Sequence, residues 1–195
     1  MFQSGVNQEF RYERELEDGL ERFLHGPFEH HPAASCRGDA KVISKTARGG
    51  AKSGKWTQPD FTLIAVQYLR LHRRIDLELF SFELKRANDS NVDSVFEAVA
   101  HTRYAHYAYL AWHQPIGSSI RSGTHHDVVA NCRGNGIGLI IFTDPMVPAS
   151  YDIVLAPSRK SPHPVDVEEF LAKRLRDDDL AKLREHIHDL ESSLP

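Results

Sequence analysis

Hydrophobic positions along this chain recur first at helical and then at strand spacing. In residues 9–25, Tyr12, Leu16, Leu20, Phe23 and Leu24 fall on one face, and Gly26-Pro27 stops the pattern, which predicts an amphipathic helix. The stretch Lys41-Val42-Ile43-Ser44 reads as a short strand. Residues 48–55 (RGGAKSGK) are glycine-rich and basic, and predict a mobile loop. Residues 60–68 (DFTLIAVQY) and 75–85 (IDLELFSFELK) are dense in β-branched, aromatic and aliphatic side chains and flank the polar turn LRLHRR. That combination predicts an antiparallel hairpin.

Asn88, Asp89, Ser90 and Asn91 then offer several helix N-caps. A long helix is expected over residues 92–112, with Val92, Val95, Phe96, Val99, Tyr107 and Leu110 as its apolar stripe and Pro115 and Gly117 beyond its end. Residues 125–133 read as a short helix ending at Gly134. The uninterrupted apolar run at 138–143 (GLIIFT) has the character of a fully buried strand, and residues 151–156 read as its neighbour. From Pro164 onward, Val167, Phe170, Leu171 and Leu175, then Leu180, Leu183, Ile187 and Leu190, repeat at helical spacing. The order helix, strands, helix, strand, strand, helices predicts an α/β fold: a central mixed β-sheet flanked by helices. One domain over 1–195 is expected, with a core at about 9–156 and a C-terminal helical extension at 164–195.

A chain of 195 residues buries roughly 70% of its unfolded surface, enough for one self-sufficient core. No apolar run approaches the roughly 20 residues of a membrane span, and the acidic start lacks the apolar stretch of a signal peptide. The expectation is a cytoplasmic protein. Two cysteines, Cys36 and Cys132, exclude a disulfide scaffold. The net charge of −3 is unevenly spread. Residues 36–86 carry eleven Lys or Arg against five Asp or Glu, whereas residues 1–34 carry three against seven and residues 163–195 five against nine. Positive potential is thus concentrated in the middle third, where a local basic face would serve phosphate binding.

The same third contains Pro59-Asp60 and Glu83-Leu84-Lys85. If the hairpin turn is centred between Leu71 and His72, partners have numbers summing to 143. Asp60 then faces Glu83 with Cβ atoms about 5 Å apart, and Lys85 projects from the same face as Glu83. Two facing carboxylates repel, and a divalent cation between them reverses the sign. A cation held by Asp60 and Glu83 would polarise a phosphoryl oxygen and acidify a water. Lys85 would orient that water or stabilise developing negative charge, and the Leu84 carbonyl would add a ligand. A one-residue slip would turn Asp60 to the other face, so the chemistry predicts the register.

This arrangement resembles the PD-(D/E)XK nuclease superfamily, the restriction-endonuclease-like fold. The resemblance covers about residues 9–156 and rests on five motif residues, a helix before them and a helix after them. It implies Mg²⁺ (or Mn²⁺) dependence, catalytic Asp60, Glu83 and Lys85, and a DNA substrate. It further implies an acidic ligand from the preceding helix, Glu13 first and Glu17 second. Polar groups of the following helix, Glu97 and His101, would lie near the scissile phosphate, with Arg103, Tyr104 and His106 as contacts to the nucleic-acid backbone. Arg86 and Lys55 join them as substrate contacts. The expected activity is DNA phosphodiester hydrolysis, in a restriction or phage-defence setting and with a homodimer to cut both strands. The alternatives are a catalytically silent nuclease-fold binding or scaffolding module, and a hydrolase of other phosphate esters.

Two further features lead elsewhere. His30-His31 with Cys36, and His125-His126 with Cys132, hold zinc-ligand residue types but match no zinc spacing. The glycines at 134–138 precede a strand, whereas a dinucleotide fingerprint follows one, so they read as a helix stop.

Overall fold

The computed structural model describes residues 14–34, 36–47, 58–117 and 122–192. The predicted mobile loop at 48–55 lies outside the described residues. Six strands form one sheet in sequence order: β1 (Ala40–Lys45), β2 (Phe61–Leu69), β3 (Arg74–Lys85), β4 (Tyr107–His113), β5 (Gly138–Phe142) and β6 (Tyr151–Leu155). β1, β2 and β3 run antiparallel, β3–β4 and β4–β5 are parallel, and β6 returns antiparallel to β5. The sheet is mixed and flanked by helices, as expected.

One face of the sheet carries Phe61, Leu63, Phe80, Phe82, Leu84, Tyr109 and Phe142. Helices α1 (Arg14–Leu24) and α2 (Pro27–His30) cover it with Leu16, Leu20, Phe23, Leu24 and Phe28. Phe28 sits at the centre, edge-on to Phe23, Phe80, Phe82 and Tyr109 at centroid separations of 5.2–6.3 Å. α1 can approach closely because residue 19 is glycine. A Cβ there would lie 2.2 Å from the carbonyl oxygen of Pro145.

The opposite face is covered in two halves. Over β4 and β5 lie α3 (Val92–His101) and α4 (Ser122–Asn135), with Val95, Ala98, Val128 and Cys132 against Leu110, Trp112 and Leu139. Over β1–β3 lie α5 (Pro164–Arg174) and α6 (Asp177–Ser192), with Val167, Phe170, Leu171 and Leu183 against Val42, Ile64, Val66 and Leu79. The C-terminal helices are therefore packed into the core. Both cysteines are buried free thiols, and burial raises them, Cys36 to about 11 and Cys132 to about 12. No helix among the described residues is long and apolar enough to cross a membrane.

The expected helix over 92–112 is two elements. α3 starts at Asn91, whose side chain accepts from the Ser94 amide while the Ser94 hydroxyl accepts from the Asn91 amide. It ends at His101, and residues 107–113 (YAYLAWH) are strand β4, buried along its whole length. An inner parallel strand is apolar on both faces, so its pattern does not distinguish strand from helix. The stripe assigned to one helix is divided accordingly: Tyr107 and Leu110 belong to the sheet, and Phe96 is 47% exposed.

Candidate active site

The β2–β3 ladder pairs Phe61 with Phe82 and Leu69 with Arg74, so partner numbers sum to 143, the expected register. Asp60 stands one step beyond the last ladder pair. Its amide donates to the Phe82 carbonyl at 3.0 Å, and its carboxylate Oδ2 accepts from the Leu84 amide at 2.7 Å. These bonds hold Asp60 beside the Phe82–Leu84 segment, near enough for its charge to act on Glu83. The turn closes at Arg73, whose φ of 48° is left-handed.

Glu83 and Lys85 are two apart on β3 and share the face that α3 covers. Lys85 Nζ lies 2.8 Å from Glu83 Oε1 and 3.0 Å from Glu97 Oε2 of α3. His101, one turn further along α3, places Nε2 3.7 Å from Glu83 Oε2. The cluster is recessed: Glu83 is 7% and His101 1% exposed. Burial first, and Asp60 next, raise the Glu83 carboxyl to about 9 against the opposing effect of Lys85. Burial, reinforced by Lys85, holds the His101 imidazole down at about 3, so the ring is neutral. His101 Nδ1 is buried without a hydrogen-bond partner.

Sequence reasoning overlooked the polar row beside this cluster. Ser44 pairs with Thr62 and Thr62 with Ser81, all buried on the Glu83 face, between the acidic row and the apolar row of Val42, Ile64 and Leu79. The Oγ atoms of Ser44 and Ser81 lack hydrogen-bond partners. The register itself carried the signal, because residues at even steps from Asp60 and Glu83 share their face.

Other anticipated residues fall elsewhere. Glu13 and Lys55 lie outside the described residues. Glu17 is 3.9 Å from Lys45 Nζ, which also meets Asp18 and Glu21 and lies over the Phe61 ring. Glu17 thus sits with Lys45 on the α1 side of the sheet, while Asp60 and Glu83 face α3. Arg86 is bound by Asp89 of the following turn. Arg103 and Tyr104 belong to the turn between α3 and β4 and border a cleft beside α5. His106 is turned away from the cluster, and its Nδ1 accepts from the Leu79 amide.

The donor set suits a hard divalent cation. Carboxylates of Asp60 and Glu83 converge across the hairpin, and burial together with like charge makes Glu83 resist ionisation without a compensating cation. Among the described residues no three His, Cys, Asp or Glu side chains gather around one point. Mg²⁺ does not require three, since it keeps several waters and binds through one or two carboxylates plus substrate phosphates.

Comparison with protein-family models, with curated proteins and with solved structures finds no match for this chain. Its functional meaning therefore comes from its own geometry.

Proposed function

We propose that this chain is a metal-dependent nuclease of the PD-(D/E)XK type that hydrolyses DNA phosphodiester bonds. The observation that carries the reading is Asp60, bound to the Leu84 amide and acting electrostatically on Glu83, with Lys85 2.8 Å from Glu83. Asp60 and Glu83 would hold Mg²⁺ or Mn²⁺, with the Leu84 carbonyl beside them. When bound, the ion supplies charge neutralisation at a phosphoryl oxygen and a more acidic water.

The residues of the chain itself set up the rest. The Leu84 amide fixes Asp60 Oδ2 and so the direction of the carboxylate. Lys85 is held between the carboxyl groups of Glu83 and Glu97, which aims its side chain along the site. There it would stabilise the negative charge that builds on a pentacoordinate phosphate, a contribution enlarged where water is excluded. Glu97 positions Lys85 from α3. Neutral His101 packs behind Glu83 and restricts its rotamers without adding charge.

Incubating the protein with plasmid, linear and branched DNA, with and without Mg²⁺ or Mn²⁺, tests the proposal. Metal-dependent cleavage lost in Asp60→Ala and Lys85→Ala proteins is the expected result. Cleavage that persists in either variant would overturn it. DNA binding without cleavage by the wild-type protein would indicate a silent nuclease-fold module, and hydrolysis of nucleotides alone a different phosphoesterase. A homodimer, needed if both strands are cut, would show in sedimentation.

A further inference from the structure

The β2–β3 hairpin runs past its neighbours in the sheet. β1 stops at the pair Ala40–Val66, and β4 starts at the pair Phe80–Tyr107. Beyond Val66 the two strands continue as a ribbon through the pairs Gln67–Asp76, Tyr68–Ile75 and Leu69–Arg74. Residues 70–73 close it as a turn, and Arg70, Leu71, His72 and Arg73 are exposed together with Arg74.

The chemistry of this tip is concentrated. No ion pair among the described residues involves Arg70, Arg73 or Arg74. Like charges gathered without neutralisation work against the compact state, and a polyanion reverses that sign. Arg73 also holds φ at 48°, a backbone region that glycine or asparagine occupies more readily. At the apex Leu71 is 98% exposed. A turn built for solubility alone has no use for a bare leucine between arginines.

Each part of the tip matches duplex DNA. Guanidinium forks bind phosphates, or the O6 and N7 acceptors of guanine, in bidentate fashion. The major groove is about 12 Å wide and admits a two-stranded ribbon. A leucine at the apex suits thymine methyl groups or the faces of bases. A lone apolar residue gives a bilayer little to hold, since segments that lie on membranes bury a whole apolar face. The tip is also distinct from the acidic cluster. Asp60 precedes β2 and Leu71 lies past its other end, with nine strand residues between them, or about 30 Å at the usual rise.

We propose that the hairpin tip is a DNA-binding arm that enters the major groove of a duplex, with Arg70, Arg73 and Arg74 on phosphates or guanine edges and Leu71 against the bases. The inference goes beyond the nuclease reading and does not depend on it, since none of these residues belongs to the acidic cluster.

Anisotropy of labelled duplex DNA, titrated with the protein in EDTA across a salt series, tests it. Arg70→Gln/Arg73→Asn/Arg74→Gln protein should bind roughly 10–100-fold more weakly, with a salt slope shallower by about 2–3. Arg70→Lys/Arg73→Lys/Arg74→Lys protein should recover most of the slope. Leu71→Ser protein should bind several-fold more weakly at an unchanged slope, because the lost contact releases no counterions. Arg133→Gln/Lys182→Gln/Arg184→Gln protein loses the same charge from exposed positions of α4 and α6 and should bind like the wild type. Unchanged affinity and slope in the first variant would overturn the inference, as would equal weakening by the α4–α6 variant. Tip dependence of equal size on duplex RNA, whose deep, narrow major groove side chains cannot read, would also overturn it. So would binding to vesicles of phosphatidylserine and phosphatidylcholine that needs Leu71 while DNA binding does not. Wild-type protein that binds DNA through the tip yet never cleaves it would uphold the arm and sink the nuclease reading. Metal-dependent cleavage with tip-independent binding would do the reverse.

Discussion

Asp60, one residue beyond the last pair of the β2–β3 ladder, acts electrostatically on Glu83, and its carboxylate accepts the amide of Leu84 at 2.7 Å. Facing carboxylates destabilise a sheet, and here burial raises the cost of ionising the second one. The position is unfavourable for folding alone, and under the proposed function a bound cation would relieve it.

Asp60→Asn should therefore stabilise the metal-free protein. The asparagine Oδ1 can still accept the Leu84 amide, while the repulsion disappears. A gain of up to about 1 kcal/mol, or roughly 2–4 °C in Tm for a protein of this size, is expected by thermal denaturation in EDTA. Mn²⁺ should raise the wild-type Tm and leave that of Asp60→Asn unchanged. A fall in metal-free stability, or a retained Mn²⁺ shift, contradicts the arrangement.

Glu97 reaches Lys85 at 3.0 Å and, under the proposed function, acts through it. Glu97→Gln preserves shape and removes the charge that helps aim the ammonium. Loss of roughly 10–100-fold in kcat is expected, with KM and DNA affinity little changed. A variant that loses DNA affinity at constant kcat would show Glu97 to be a substrate contact instead.

His106 should give the protein an acid-sensitive step distant from the cluster. Its half-buried ring accepts the Leu79 amide through Nδ1, which demands an unprotonated nitrogen. Burial first, and Arg159 next, hold its pKa below the ordinary value. The unfolded chain then binds the proton more readily, so the stability it contributes is present above an unfolded pKa of about 6.5 and falls as pH drops below it. Urea unfolding at about pH 7.5 and pH 5 should show a smaller drop in His106→Asn, whose side-chain oxygen can accept the same amide. An undiminished drop would assign the acid step to other groups.

The packing of α1 and α2 can be tested at two positions. Phe28→Ala should cost about 3–5 kcal/mol by urea unfolding, as expected for a buried phenylalanine surrounded by four aromatic rings. Gly19→Ala is the sharper case. In an isolated helix the change would help by about 1 kcal/mol. Here the new methyl meets the Pro145 carbonyl, so the sign should reverse. Stabilisation by Gly19→Ala would mean that α1 does not dock as described.

Much of this molecule was legible from local pattern. The hairpin followed from two β-rich runs around a polar turn, and its register from centring that turn between Leu71 and His72; the observed ladder has that register. That register also placed Asp60, Glu83 and Lys85. Pro164 and the run Asn88–Asn91 marked helix starts through elementary backbone chemistry, a missing amide in one case and capping side chains in the other, of which the structure uses Asn91. The strand at 107–113 was not legible, since a strand buried on both faces displays no alternation.

The sequence by itself determined which segments must be buried, which carboxylates share a strand face, and where charge accumulates. Those properties depend on neighbours a few residues apart. Only the tertiary structure decided that Glu97 and His101 would pack beside Lys85 and Glu83, that Glu17 would be taken by Lys45, and that Arg103 and Arg174 would line one cleft. Those contacts join groups from separate elements, and their positions follow from how helices settle on a sheet. That is set by the packing of whole faces, which no local run of residues encodes.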